Sequence, residues 1–178
     1  MYTKTLNLFA SLLMIASFFS CKNDKQEEPA APKKPTVKVA LDAVIKKDDS
    51  LQIFYIQHGE TEYNGALTVW ASVKGSDKSQ EVLFDLPEDV LPTKLRIDIS
   101  KNKDQDPIEI KKFTIKYKEK AFQVKDTMFF QYFIPNEQVE WDRKKATATF
   151  KNDGKNFDPQ FGSRDVMDAE LLKVTGSK

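Results

Sequence analysis

Few side chains in this sequence are equipped for covalent chemistry. Cys21 is the only cysteine and His58 the only histidine among 178 residues. His58 precedes Gly59 in a context that reads as a turn, and no G-x-S-x-G segment is present. A nucleophile activated by an imidazole therefore has little to stand on. Carboxylates are too numerous for spacing alone to single out an acid–base pair. Asp98, Asn102, Asp104 and Asp106 offer the hard oxygens that calcium takes. They lack the glycine turn and closing glutamate of a calcium loop, and Lys101 and Lys103 oppose a cation, so a solvated loop is the better reading. Asp153, Asn156 and Asp158 around Gly154 read the same way. The expectation is a non-catalytic chain with no metal and no cofactor.

Aromatic residues offer a different chemistry, stacking. Leu67, Val69, Ala71 and Val73 alternate with Thr68, Trp70, Ser72 and Lys74. In a strand this sends the aliphatic set to the core and Trp70 to the polar face. An indole there is either a platform for a flat apolar ligand face or a side chain covered by another element. Tyr63, in the adjoining Gly59–Gly65 loop, could share such a platform, and Thr68 and Ser72 could bond a ligand's hydroxyls. These four residues, Tyr63, Thr68, Trp70 and Ser72, form the candidate ligand set. Trp141 and the run Phe129–Phe133 are expected in the core of a second sheet.

Cys21 carries a second kind of chemistry. Lys4 is followed by an almost wholly apolar run, Leu6–Phe19, and then by Ser20 and Cys21. The run has the length of a secretory core segment and falls short of the roughly 20 residues needed to span a bilayer. It resembles the lipobox of bacterial lipoproteins, with Phe18 and Phe19 standing where Leu and a small residue are usual. That resemblance implies a signal peptide over 1–20 and a lipidated Cys21 at the head of the mature chain. An ordinary cleaved signal and an uncleaved anchor are the rival readings. Two or more acyl chains on one cysteine would hold the protein stably on a membrane. The mature chain would then carry no thiol, which suits an oxidising compartment.

Residues 22–35 cannot bury apolar surface. Lys22–Glu28 is charged and polar, and Pro29, Pro32 and Pro35 interrupt an Ala/Lys run, a composition that predicts a disordered tether reaching at most about 45 Å. Lys22 with the later pair Glu27-Glu28 is similar to the surface-export signal of Bacteroidota lipoproteins. The implied location is the cell envelope, as an outer-membrane lipoprotein exported to the cell surface. A plain solvated tether explains the same residues.

The remainder, 36–178, is one domain by length. The chain holds 28 basic and 27 acidic residues. Cleavage before Cys21 removes one base, Lys4, and no acid, so the mature chain is formally neutral. No nucleic-acid binder is expected from such a balance. Period-two segments punctuated by turn residues predict an all-β fold, an antiparallel β-sandwich. Leu51–Gln57 is apolar on both faces, as a covered central strand would be. Ile108 and Ile110 fall out of phase with Phe113, Ile115 and Tyr117, and the slip at Lys111-Lys112 reads as a β-bulge. Phe129–Ile134, Val139–Trp141 and Ala146–Phe150 read as short strands. Residues 165–174 suit a short C-terminal helix or a last strand.

Three segments carry a further resemblance: Val82–Pro87, Lys94–Asp98 and Ile108–Ile115. They are similar to the galactose-binding-like jelly rolls of bacterial glycan-handling proteins. The likeness covers about half the domain and implies a jelly roll and a non-catalytic glycan-binding module. The alternative is an accessory subunit that docks another envelope protein through a sheet edge or face, with no glycan ligand.

Overall fold

A computed structural model describes residues 34–152 and 156–177. The lipobox, Cys21 and the tether up to residue 33 lie outside the described residues, as does Asp153.

Among the described residues, eleven strands form two antiparallel sheets that face each other across one apolar core. They are β1 (Lys38–Val44), β2 (Asp49–Gln57), β3 (Thr68–Val73), β4 (Gln80–Asp85), β5 (Pro92–Asp98), β6 (Ile108–Tyr117), β7 (Lys120–Lys125), β8 (Phe133–Pro135), β9 (Val139–Asp142), β10 (Thr147–Phe150) and β11 (Gln160–Ser163). The first sheet runs β4-β1-β6-β10-β9, with β7 also paired to β6; the second runs β3-β2-β5-β11-β8. The all-β sandwich expected from the alternation is what the chain forms.

The core shows why the alternation works. Leu41, Phe84, Phe113 and Ile115 project from the first sheet, and Leu51, Ile53, Leu95, Ile97 and Phe161 from the second, all essentially without solvent exposure. The phase slip in β6 is a bulge, as its sequence requires. Against β1, Asp42 pairs with Lys112 and the next residue, Ala43, pairs with Ile110. Lys111 is the extra residue, and by taking it up β6 keeps Ile108, Ile110, Phe113 and Ile115 all in the core.

One segment departs from its sequence reading. Phe129–Ile134 is not a strand. A 3₁₀ turn (Asp126–Met128) leads into a helical turn, α1 (Phe129–Tyr132), and only then into β8. In a strand Phe129, Gln131 and Phe133 would share a face. Here Phe129 and Phe133, four apart, stack with centroids 4.6 Å apart while Gln131 is exposed. Phe113 and Phe161 close on the same pair edge-on or tilted. Tertiary packing of four rings overrides the β-propensity of the aromatic run. Trp141 is half-buried, stacked at 4.4 Å on Phe130 and capped by Arg143.

The C-terminal segment is a helix, α2 (Asp165–Thr175), which buries Met167, Leu171 and Val174. Asp165 and Asp168 sit in its first turn, where the helix dipole favours acids. Gly176 ends it at φ 74°, a conformation that costs glycine least. Strands β7 and β11 are elements the alternation did not reveal.

The two ends of the sandwich differ. Where β1 begins, the chain meets the β6–β7 hairpin and the end of α2. At the opposite end the β1–β2, β3–β4 and β5–β6 loops are pinned together. Asp49 accepts from its neighbour's amide (Ser50), from Ser100 Oγ, from the amides of Lys101 and Asn102, and from Gln105 Nε2, at 2.6–3.1 Å. Gly75 lies against the backbone there, since a Cβ on it would come within 2.4 Å of the Lys46 carbonyl.

Candidate functional site

Registers across the second sheet define its outer face. Trp70 stands opposite Gln52, Gln52 opposite Asp98, and Asp98 opposite Gln160. The neighbouring row is Thr68, Phe54, Arg96 and Gly162. These are the alternate residues of strands whose other faces fill the core.

Trp70 is 52% exposed on edge strand β3. Beside it lies a closed charge network. Asp98, fully buried, takes Arg96 Nε at 2.8 Å and Nη2 at 3.0 Å, a bidentate pair. Lys101 Nζ bonds both Asp98 and Asp158 at 3.1 Å and lies 5.7 Å from the Trp70 ring centre. The Arg96 guanidinium covers Phe54 at 4.1 Å and approaches Tyr63 at 5.8 Å. This cover shields Phe54 on the outer side of β2, the doubly apolar strand. Burial works against the Arg96 charge, but the bonds and charge of Asp98 outweigh it and hold the guanidinium above its ordinary pKa. Two cations and two carboxylates cancel, so the face is polar, preorganised and formally neutral.

The four sequence-chosen residues are not all equivalent here. Trp70 faces outward, as alternation requires. Ser72 is exposed beside it, with only a long 3.4 Å contact to Ser50 Oγ. The Thr68 hydroxyl is already engaged, accepting from Gln52 Nε2 at 2.7 Å and donating to the Ile53 carbonyl at 3.0 Å. It holds Gln52 in place rather than facing a ligand freely. Tyr63 sits on the far side of Arg96 and is joined to Trp70 only through the charge network. Burial pushes its phenol up to about 12, opposed by a hydrogen bond with Ser163 and reinforced by Asp168. It therefore remains a neutral hydroxyl at any ordinary pH.

Sequence reasoning did not single out Gln52 or Arg96, and treated Asp98, Lys101 and Asp158 as parts of solvated loops. Only register brings them to Trp70. The oxygen clusters do not converge. Asp98 is taken by Arg96 and Lys101, Asp106 by Lys47, and the Asp104 carbonyl by the same lysine. Among the described residues no three acidic, histidine or cysteine side chains are placed to hold a metal ion.

A depression of about 340 Å³, lined by Asp48, Asp49, Ser50, Lys101 and Asn102, adjoins Trp70 through Lys101. A larger one of about 620 Å³, between Glu109, Asp126 and Lys144–Thr147, has charged walls and no aromatic ring. The arrangement around Trp70 can stack a flat apolar face and offer fixed donors and acceptors at its rim.

Compared with known protein families, curated proteins and solved structures, the chain matches none.

Proposed function

We propose that this is a lipid-anchored envelope protein whose sandwich presents a non-catalytic glycan-binding face centred on Trp70. One observation carries the reading: a half-exposed indole beside a closed Lys101–Asp98–Arg96 network. A pyranose has a face of C–H groups that covers an indole and a rim of hydroxyls that need donors and acceptors. Lys101, Ser72 and Asn102 lie where that rim would fall, with the adjoining depression for a second ring. The resemblance to galactose-binding-like jelly rolls supports the same ligand class, and the lipobox-like N-terminus supports the anchor.

The test is Trp70→Ala on a glycan array, with a thermal melt beside it. The substitution should weaken binding by about 2 kcal/mol, roughly thirtyfold, as loss of an aromatic hot spot does. Because the ring is half in solvent, the fold should lose no more than about 1 kcal/mol. A wild type that binds no glycan, or a mutant that binds equally well, would retire the reading in favour of a protein-docking accessory subunit.

A further inference from the structure

At the end of the sandwich where β1 begins, lysines gather on the β1, β6 and β7 side, whereas the acids Asp85, Glu88 and Asp89 lie on β4 and the loop after it. A groove of about 260 Å³ is lined by Pro35, Thr36, Lys38, Lys116 and Lys118, with no acid in its wall. Lys38 and Lys116 are direct cross-strand partners, and like charges so placed repel. Lys38 has a loose 3.8 Å contact to Asp85; Lys116 has no carboxylate partner among the described residues. Lys118 occupies the hairpin tip at φ 52°, a left-handed position where glycine costs less. Its ammonium rests 4.9 Å from the Tyr117 ring. Across the tip, a second groove of about 370 Å³ runs between Tyr117, Lys120 and Val174 and is mostly apolar. Glu119 is the one acid on this hairpin tip. Opposed lysines and a lysine in a glycine position both cost stability, and both place positive charge at the same end.

We infer that this end docks on an anionic lipid membrane. The inference rests on the anchor reading above and says which surface of the domain then meets the bilayer. The chain enters β1 at this end, and the tether from Cys21 extends at most about 45 Å. The lysines are thus confined near headgroups, at high effective concentration. Each lysine held near an anionic surface strengthens association roughly fivefold, and the partly buried Tyr117 beside Lys118 suits the interface. Trp70, Lys101 and Asn102 lie toward the opposite end and stay clear of the membrane.

The experiment uses the full chain, purified in detergent and reconstituted into vesicles of phosphatidylcholine alone or mixed equally with phosphatidylglycerol. Lysines are labelled with an amine-reactive ester and read by mass spectrometry. Lys38 and Lys120 should react several-fold more slowly in the anionic vesicles, and high salt should abolish the difference. Lys78 and Lys103, at the far end, should react equally in both. The double variant Lys116→Gln, Lys118→Gly should lose the selective protection without a lower Tm, because glycine relieves the hairpin tip. Equal reactivity in the two vesicle types, or protection that survives in the variant, would overturn the docking surface while leaving the anchor standing. A chain that stays in the aqueous phase on detergent partition would overturn the anchor itself, and the proposal with it.

Discussion

Tyr63 gives the residue scale its clearest pH signature. Its folded pKa of about 12 lies above the free value of 10.0. Above pH 10 an unfolded tyrosine gives up its proton while the folded one keeps it, so the folded state binds more protons. The contribution is complete below pH 10 and is lost as the pH climbs toward 12. The melting temperature of the wild type should therefore fall more steeply across that window than that of Tyr63→Phe. Parallel curves would show that the phenol is not buried as described. At this scale the sequence is only partly legible. The outward direction of Trp70 follows from the alternation of its own strand. Its neighbours do not follow, because Gln52 and Asp98 reach it through a register that depends on which strands pair. Nothing in the composition distinguishes Asp49, the residue pinning the far loops, from the adjacent Asp48, whose carboxylate pairs with Lys74 and the Gly75 amide at the surface.

Among the elements, β6 tests how much depends on one residue. Deleting Lys111 removes the bulge and forces one half of the strand to reverse its faces. Either Ile108 and Ile110 or Phe113 and Ile115 would turn to solvent, each buried side chain costing about 1.5–3 kcal/mol. The deletion should abolish cooperative unfolding, whereas Lys111→Ala should change Tm little. If the deletion variant melts like the wild type, the bulge assignment fails. The bulge was readable because apolar residues mark both sides of it. The α1 turn was not, because a run of aromatics satisfies strand and helix equally until the partner rings from β6 and β11 are present. Strands β7 and β11 were hidden for a different reason: their large apolar residues, Phe122 and Val124 in β7 and Phe161 alone in β11, are too few to mark a period, and neighbouring strands recruit them.

On the scale of the whole molecule the sandwich and its core were legible, since strands such as β3 and β5 alternate core and outward residues. The proposed anchor is the part the described residues do not reach, and it is tested in cells. Cys21→Ser should leave unprocessed precursor or release the protein from the membrane fraction. Processing and retention identical to wild type would exclude lipidation at that residue.

The position of β1 has a mechanical consequence. It lies between β4 and β6, paired along nearly its whole length on both sides, and the tether enters at its first residue. A pull on the tether against a ligand held at the second sheet would draw β1 lengthwise. Antiparallel hydrogen bonds run across the strands, so two rows of them would share the load together instead of opening one by one. The domain is thus strung by a strand gripped along both edges. Stretched from Lys34, it should rupture at a higher force than when stretched from a handle on edge strand β4, and a single-molecule pulling experiment that found the reverse order would refute this load path.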